Sequence, residues 1–291
     1  MLEQKGPFLA LPRELRDKIY GCYLIVEGGY VFNPITDRLV AANNKPIDLA
    51  LVYTCKLVAL EMHNLGLKLN TINFSTVFNP EKRSTIGRFQ HLRESYAAHE
   101  LHLLKHAGPC INEDVFSHVE KVYPQFMPVI RIIQGGNIWP FDTINKTWGW
   151  VPSVFRRFVS EILQIVSRHP RFDDTMSQAW KRSFPIPNLI RFLSFSQKDL
   201  RFPTETLINA MRSTTGLGYF EPSRGVKYRT SATNSAVLFL ATLSPGALSS
   251  LRKIVLHEDH ESTCWPESHA QNLIPVCRNN PDLRVEQRVD L

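Results

Sequence analysis

What this chain has little of narrows it first. Its five cysteines, Cys22, Cys55, Cys110, Cys264 and Cys277, are odd in number, far apart and never in C-x-x-C spacing. That speaks against a disulfide framework or a zinc knuckle and fits a reducing compartment. The longest apolar run, Ala236 to Ala241, is far too short to span a bilayer, and no apolar stretch precedes the first N-terminal charges. The expectation is a soluble intracellular protein, cytoplasmic or nuclear, with no membrane partner. Glycine is arranged in no Walker-type loop, and neither G-x-S-x-G nor H-E-x-x-H occurs. Gly216-Leu217-Gly218 has Glu221 where a dinucleotide fingerprint needs its third glycine, so it reads as a loop. These absences leave no cofactor and no metal to expect. Charge is nearly balanced, 34 Lys plus Arg against 27 Asp plus Glu. The excess is scattered in pairs such as Arg156-Arg157, Lys181-Arg182 and Arg252-Lys253, without a basic tail, and predicts no specific nucleic-acid partner.

What is present suits a globular protein: 291 residues, 43% hydrophobic and 21% charged, enough for a sizeable core. The composition shift at Asn79-Pro80-Glu81-Lys82-Arg83 suggests a small docking module over 1–80 and a mixed strand-helix body over 81–291. The module opens on Phe8-Leu9-Ala10-Leu11-Pro12-Arg13-Glu14-Leu15-Arg16-Asp17-Lys18-Ile19-Tyr20, an apolar segment broken by a proline that suits a first helical position. Leu15, Ile19 and Cys22 or Tyr23 then form a stripe, with Arg13, Arg16 and Lys18 on the polar side, the pattern of a docking helix. Two short strands around an Asn33-Pro34 turn should follow, then a helix from Asp48 to about Gly66, then a strand over 70–77.

Beyond the boundary, periodicity predicts helices over about 84–106, 113–123 with Asn112 as cap, 152–167, 203–211 and 267–276. Strands are expected over 129–133, 189–195, 251–256 and 283–291. The fold class is therefore α+β or α/β. Leu69-x-x-Ile72-x-Phe74, Ile190-x-x-Leu193-x-Phe195 and Leu251-x-x-Ile254-x-Leu256 approach a leucine-rich-repeat pattern, so the body also reads as degenerate strand-helix repeats.

Three groups are candidates for chemistry or binding. His99, His102 and His106 share one stripe of their helix, which reads as a solvated face. His257, Glu258, Asp259, His260, Glu261, Cys264 and His269 are the densest set of acid-base residues, and an enzyme using this region is the alternative to a binding protein. Strand alternation, however, sends neighbouring side chains to opposite faces, which favours a charged turn between strand and helix. Tryptophans most often serve as core packing, and Trp148 and Trp150, around Gly149 and before Pro152, have an exposed binding anchor as the alternative.

The opening segment, Thr54-Cys55-Lys56-Leu57-Val58-Ala59-Leu60-Glu61 and Asn70-Thr71-Ile72-Asn73-Phe74 together resemble the F-box-like proteins common in filamentous fungi. Ile254 to Asp259, Trp265 to Gln271 and Asn280 to Val285 look like the ending of the same group. The resemblance implies that Leu11, Pro12, Glu14, Leu15 and Ile19 pack on a Skp-type adaptor of a cullin ubiquitin ligase while the remainder holds an unknown target protein. Relative to an F-box, this chain adds the Gly28 to Pro46 hairpin between the two helices and has Leu60 and Met62 where an aromatic is common.

Overall fold

The computed structural model describes residues 7–136, 152–180, 192–193, 204–216, 218, 220–263 and 269–290. Helix α1 runs Arg13–Leu24, one residue later than expected, because Pro12 is held extended (ψ 150°) and caps it through its carbonyl, which accepts from the Leu15 and Arg16 N–H groups. Gly28 and Gly29 then turn the chain with φ of 77° and 75°. A Cβ on Gly29 would lie 2.3 Å from the Thr71 carbonyl oxygen, so this approach requires glycine. The expected hairpin forms from β1, Tyr30–Asn33, and antiparallel β2, Arg38–Ala41, with the Asn33 carboxamide accepting from the Ile35 and Thr36 N–H groups in the turn.

The helix expected from Asp48 is shorter than its apolar spacing suggested. Asp48 Oδ1 accepts from Ala50 N–H in a local turn, and helix begins only at Lys56. Helix α2, Lys56–Glu61, then stops before Asn64, whose φ of 59° separates it from α3, Leu65–Leu69. Strands β3, Thr71–Ser75, and β4, Val77–Phe78, complete the segment.

Residues 84–226 form a compact unit of their own. Helix α4, Arg83–His106, buries Phe89, Leu92, Tyr96, Leu103 and Leu104, and α5, Glu113–Val122, is capped by Asn112 Oδ1 accepting from Val115 N–H. The expected strand over 129–133 is instead helix α6, Met127–Gln134. Val129, Ile130 and Ile133 are buried at helical spacing, and a short apolar run of this kind fits a buried helix as well as a buried strand. Helix α7, Pro152–Val166, places Phe155, Phe158, Val159, Ile162, Leu163 and Val166 in the core, as its stripe requires. Helix α8 spans Phe172–Trp180, and α9, Glu205–Thr215, is capped by Thr204 and closed by left-handed Gly216. Of the strand expected over 189–195, only 192–193 lie among the described residues.

The last segment does not belong to that unit. Residues 227–291 pack with 1–83, so the body expected over 81–291 is divided. Strand β5, Arg229–Thr230, pairs antiparallel with β4, and α10, Ala232–Thr242, and α11, Pro245–Ser250, follow. Strand β6, Lys253–Glu258, enters the sheet parallel to β3, and after α12, Ile274–Asn279, β7, Arg284–Val289, adds parallel to β6. The sheet order is β2-β1-β3-β6-β7, with only β2 antiparallel. The fold is thus mixed α and β. Its core takes Phe32, Ile72, Phe74, Ile254 and Leu256 from one sheet face against Ala236, Phe239 and Leu240 of α10. The similar motifs at 69–74 and 251–256 pair side by side, Ile72 with Ile254 and Phe74 with Leu256.

Candidate functional site

The opening motif and α2 are joined through charge that the fold turns inward. Arg16, expected on the polar side of α1, donates from Nε and Nη2 to the Glu61 carboxylate at 2.9 and 2.6 Å. Tyr20 donates to the same carboxylate at 2.6 Å, and Arg13 Nη1 lies 3.1 Å from it. The side chains of Glu61 and Arg16 are only 5% and 12% exposed. Hydrogen bonds from Arg16 and Tyr20 outweigh burial and hold the Glu61 carboxyl down at about 2, while burial and the adjacent carboxylate push Tyr20 up to about 12. Tyr20, Leu24, Val58 and Met62 form the small apolar core beneath.

With the charges inside, apolar side chains are left outside. Leu15 and Ile19 on α1 are 45% and 41% exposed, and Leu57 and Leu60 on α2 are 45% and 75% exposed. Pro12 and Glu14 are exposed and Leu11 is half-buried. Five of the residues singled out in the sequence therefore lie together at the start of this module, whereas Trp148 and Trp150 lie outside the described residues. Leu57, Leu60 and Glu61 lie in the segment that carries the resemblance, but they were not among the expected binding residues; two leucines one turn apart were the available signal.

The region from His257 to His269 is split by strand alternation as expected: Glu258 is buried, while His257 is half-buried on the other sheet face. The Glu258 carboxylate accepts from the N–H groups of Ala232 and Thr233 and from the Thr233 and Thr76 hydroxyls. It thereby occupies the first donors of α10, where an anion is favoured. Ser231, with no exposed surface, accepts from Asn234 N–H and lies 2.9 Å from His269 Nδ1. Hydroxyl and imidazole are close, but the backbone donors that would stabilise an oxyanion beside them are already bound by Glu258. This geometry ties the end of β6 to the start of α10. Cys264 lies outside the described residues.

The histidine stripe of α4 is not a uniformly solvated face. His99 is 8% exposed with Nδ1 on the Ser95 carbonyl, and His102 and His106 meet edge to face at 4.7 Å, both shifted down by burial first. Among the described residues, no group of three or more His, Cys, Asp or Glu is placed to hold a metal ion, and no helix is long and apolar enough to cross a membrane. Comparison with family models, with curated proteins and with solved structures finds no match.

Proposed function

We propose that this chain is a non-enzymatic interaction adaptor whose N-terminal module docks on a Skp-type subunit of a cullin ubiquitin ligase while the remainder engages a target protein. The observation that carries this reading is the inversion at α1 and α2: Arg16 and Glu61 are buried against each other while Leu15, Ile19, Leu57 and Leu60 stand in solvent. An exposed one-turn leucine-isoleucine pair supplies the kind of anchor that a helix lays into a partner groove. The resemblance of the opening motif to F-box-like proteins supplies the partner.

The test is a titration of purified Skp-type adaptor against the whole protein and against the Leu15→Ala, Ile19→Ala double variant. The parent should bind and the variant should lose binding. Thermal stability should barely move, because substitutions at exposed positions cost within about 0.5 kcal/mol each, against about 2–5 for a buried Leu or Ile. No binding by the parent, or a collapsed melting temperature in the variant, defeats the proposal.

A further inference from the structure

Strand β7 ends the sheet and pairs with β6 on one side only. The Arg284 N–H donates to the Arg252 carbonyl on the β6 side, and backbone groups alternate in direction along a strand. The N–H and C=O groups of Val285, Gln287 and Val289 therefore point away from the sheet, and among the described residues nothing bonds to them. Gln287 and Val289 are exposed. The opposite edge is less available: β2 has four residues to the six of β7, and its Ala41 N–H is taken by the Lys45 carbonyl. A free edge of this kind is a template for another strand. Along β7, Arg284, Glu286 and Arg288 share one face, Val285, Gln287 and Val289 share the other, and Asp290 follows in the alternation of the charged set. Arg284 and Asp290 are exposed and make no ion pair among the described residues.

We propose that β7 pairs antiparallel with β7 of a second copy of this chain, about a two-fold axis through Gln287, so that two sheets become one continuous sheet. In that register Arg284 faces Asp290 of the second copy, Glu286 faces Arg288, Val285 faces Val289, and Gln287 faces its own counterpart. The residues whose backbone groups point outward are then the ones that exchange hydrogen bonds, and each charge pair occurs twice by symmetry. Opposite charges directly across a strand pair stabilise it and like charges oppose it, which selects this register over its neighbours. One step to one side sets Glu286 against itself and Arg284 against Arg288; one step to the other sets Arg288 against itself and Glu286 against Asp290. Charge complementarity of the strand with its own reverse is what names a second copy as the occupant. The edge is separate from α1, and the inference does not rest on the ligase reading.

The test is sedimentation velocity of the full-length protein over a concentration series. The parent should show a monomer–dimer equilibrium. Arg284→Glu brings two carboxylates together and Asp290→Lys two cations, and because each change acts twice per dimer, either one should weaken association about tenfold. The variant carrying both exchanges the charges and should associate like the parent, a rescue that a merely structural role for Arg284 would not give. Gln287→Pro removes an outward N–H without touching a bond to β6, and should abolish the dimer while the circular dichroism spectrum is retained. Should that variant melt early, the charge exchange gives the reading by itself. A parent that is monomeric at every concentration, assembly beyond a dimer, or a double variant that associates no better than the single ones would overturn the proposal, as would a dimer that survives Gln287→Pro.

Discussion

Two buried carboxylates show how a single residue ties stability to pH in opposite directions. Glu61 has its folded pKa pulled to about 2 by Arg16 and Tyr20, so it adds stability above its ordinary value near 4.5 that is lost as pH falls from there toward 2. Glu100, 3% exposed on α4, is pushed the other way to about 7, because burial outweighs the Ser160 hydroxyl bond at 2.8 Å and the attraction of Arg93. The folded protein holds a proton on Glu100 that the unfolded chain releases near 4.5. Its contribution is therefore fully present below 4.5 and is lost as pH rises through 7. Replacing it by Gln keeps the shape and removes the ionisation. Glu100→Gln should leave thermal unfolding near the parent's at pH 5 and raise the midpoint at pH 8. A variant that melts lower than the parent at pH 8 would show that the carboxylate is better compensated there than its surroundings indicate. Neither carboxylate was visible as buried in the sequence. Charge on a helix reads as solvated by default, and the partner of Arg16 lies 45 residues away.

At the scale of elements, what the sequence revealed is what local chemistry alone decides. The Asn112 cap, the Asn33 turn and the helical period of α7 were legible because each needs only neighbours along the chain. Helix α6 was misread because Val129 to Ile133, apolar except for Arg131, is too short a run for its period to separate helix from strand. The role of Gly29 was hidden for a different reason: the atom that forbids a side chain there belongs to Thr71, in another strand. Gly29→Ala combines a left-handed φ of 75° with a Cβ 2.3 Å from a backbone oxygen, so β1 has to shift from β3. Urea unfolding should show a loss of about 3 kcal/mol or more. Gly136→Ala, with φ 70° but nothing within 4 Å of its Cβ, isolates the conformational cost, about 1 kcal/mol. Equal losses at the two positions would mean that the β1–β3 contact contributes nothing.

For the whole molecule, the exposed helix ridges of the candidate docking site were partly legible, since Leu15 and Ile19 declare their spacing, but the division of the chain was not. Composition marked the boundary near residue 80. No local signal marked the return of residues 227–291, because the pairing of Ile72 with Ile254 and Phe74 with Leu256 joins strands about 180 residues apart. Without β6, both Ile72 and Phe74, which have no exposed surface, would lose neighbours in the core, and β3 would present an open edge. The segment 1–83 should therefore not fold alone. The chain leaves this unit through β4 and returns through β5, where Phe78 pairs with Arg229 and Val77 with Thr230, so the two ends of the intervening residues are adjacent. A short Gly-Ser linker in place of 84–226 can close that gap at little cost, since loop-closure entropy grows only slowly with length. The expected result is cooperative thermal unfolding for 1–83 joined to 227–291 and none for 1–83 by itself, followed by circular dichroism. A cooperative transition in 1–83 alone would mean that the N-terminal module holds its core without β6, and that the later strands are an addition to it.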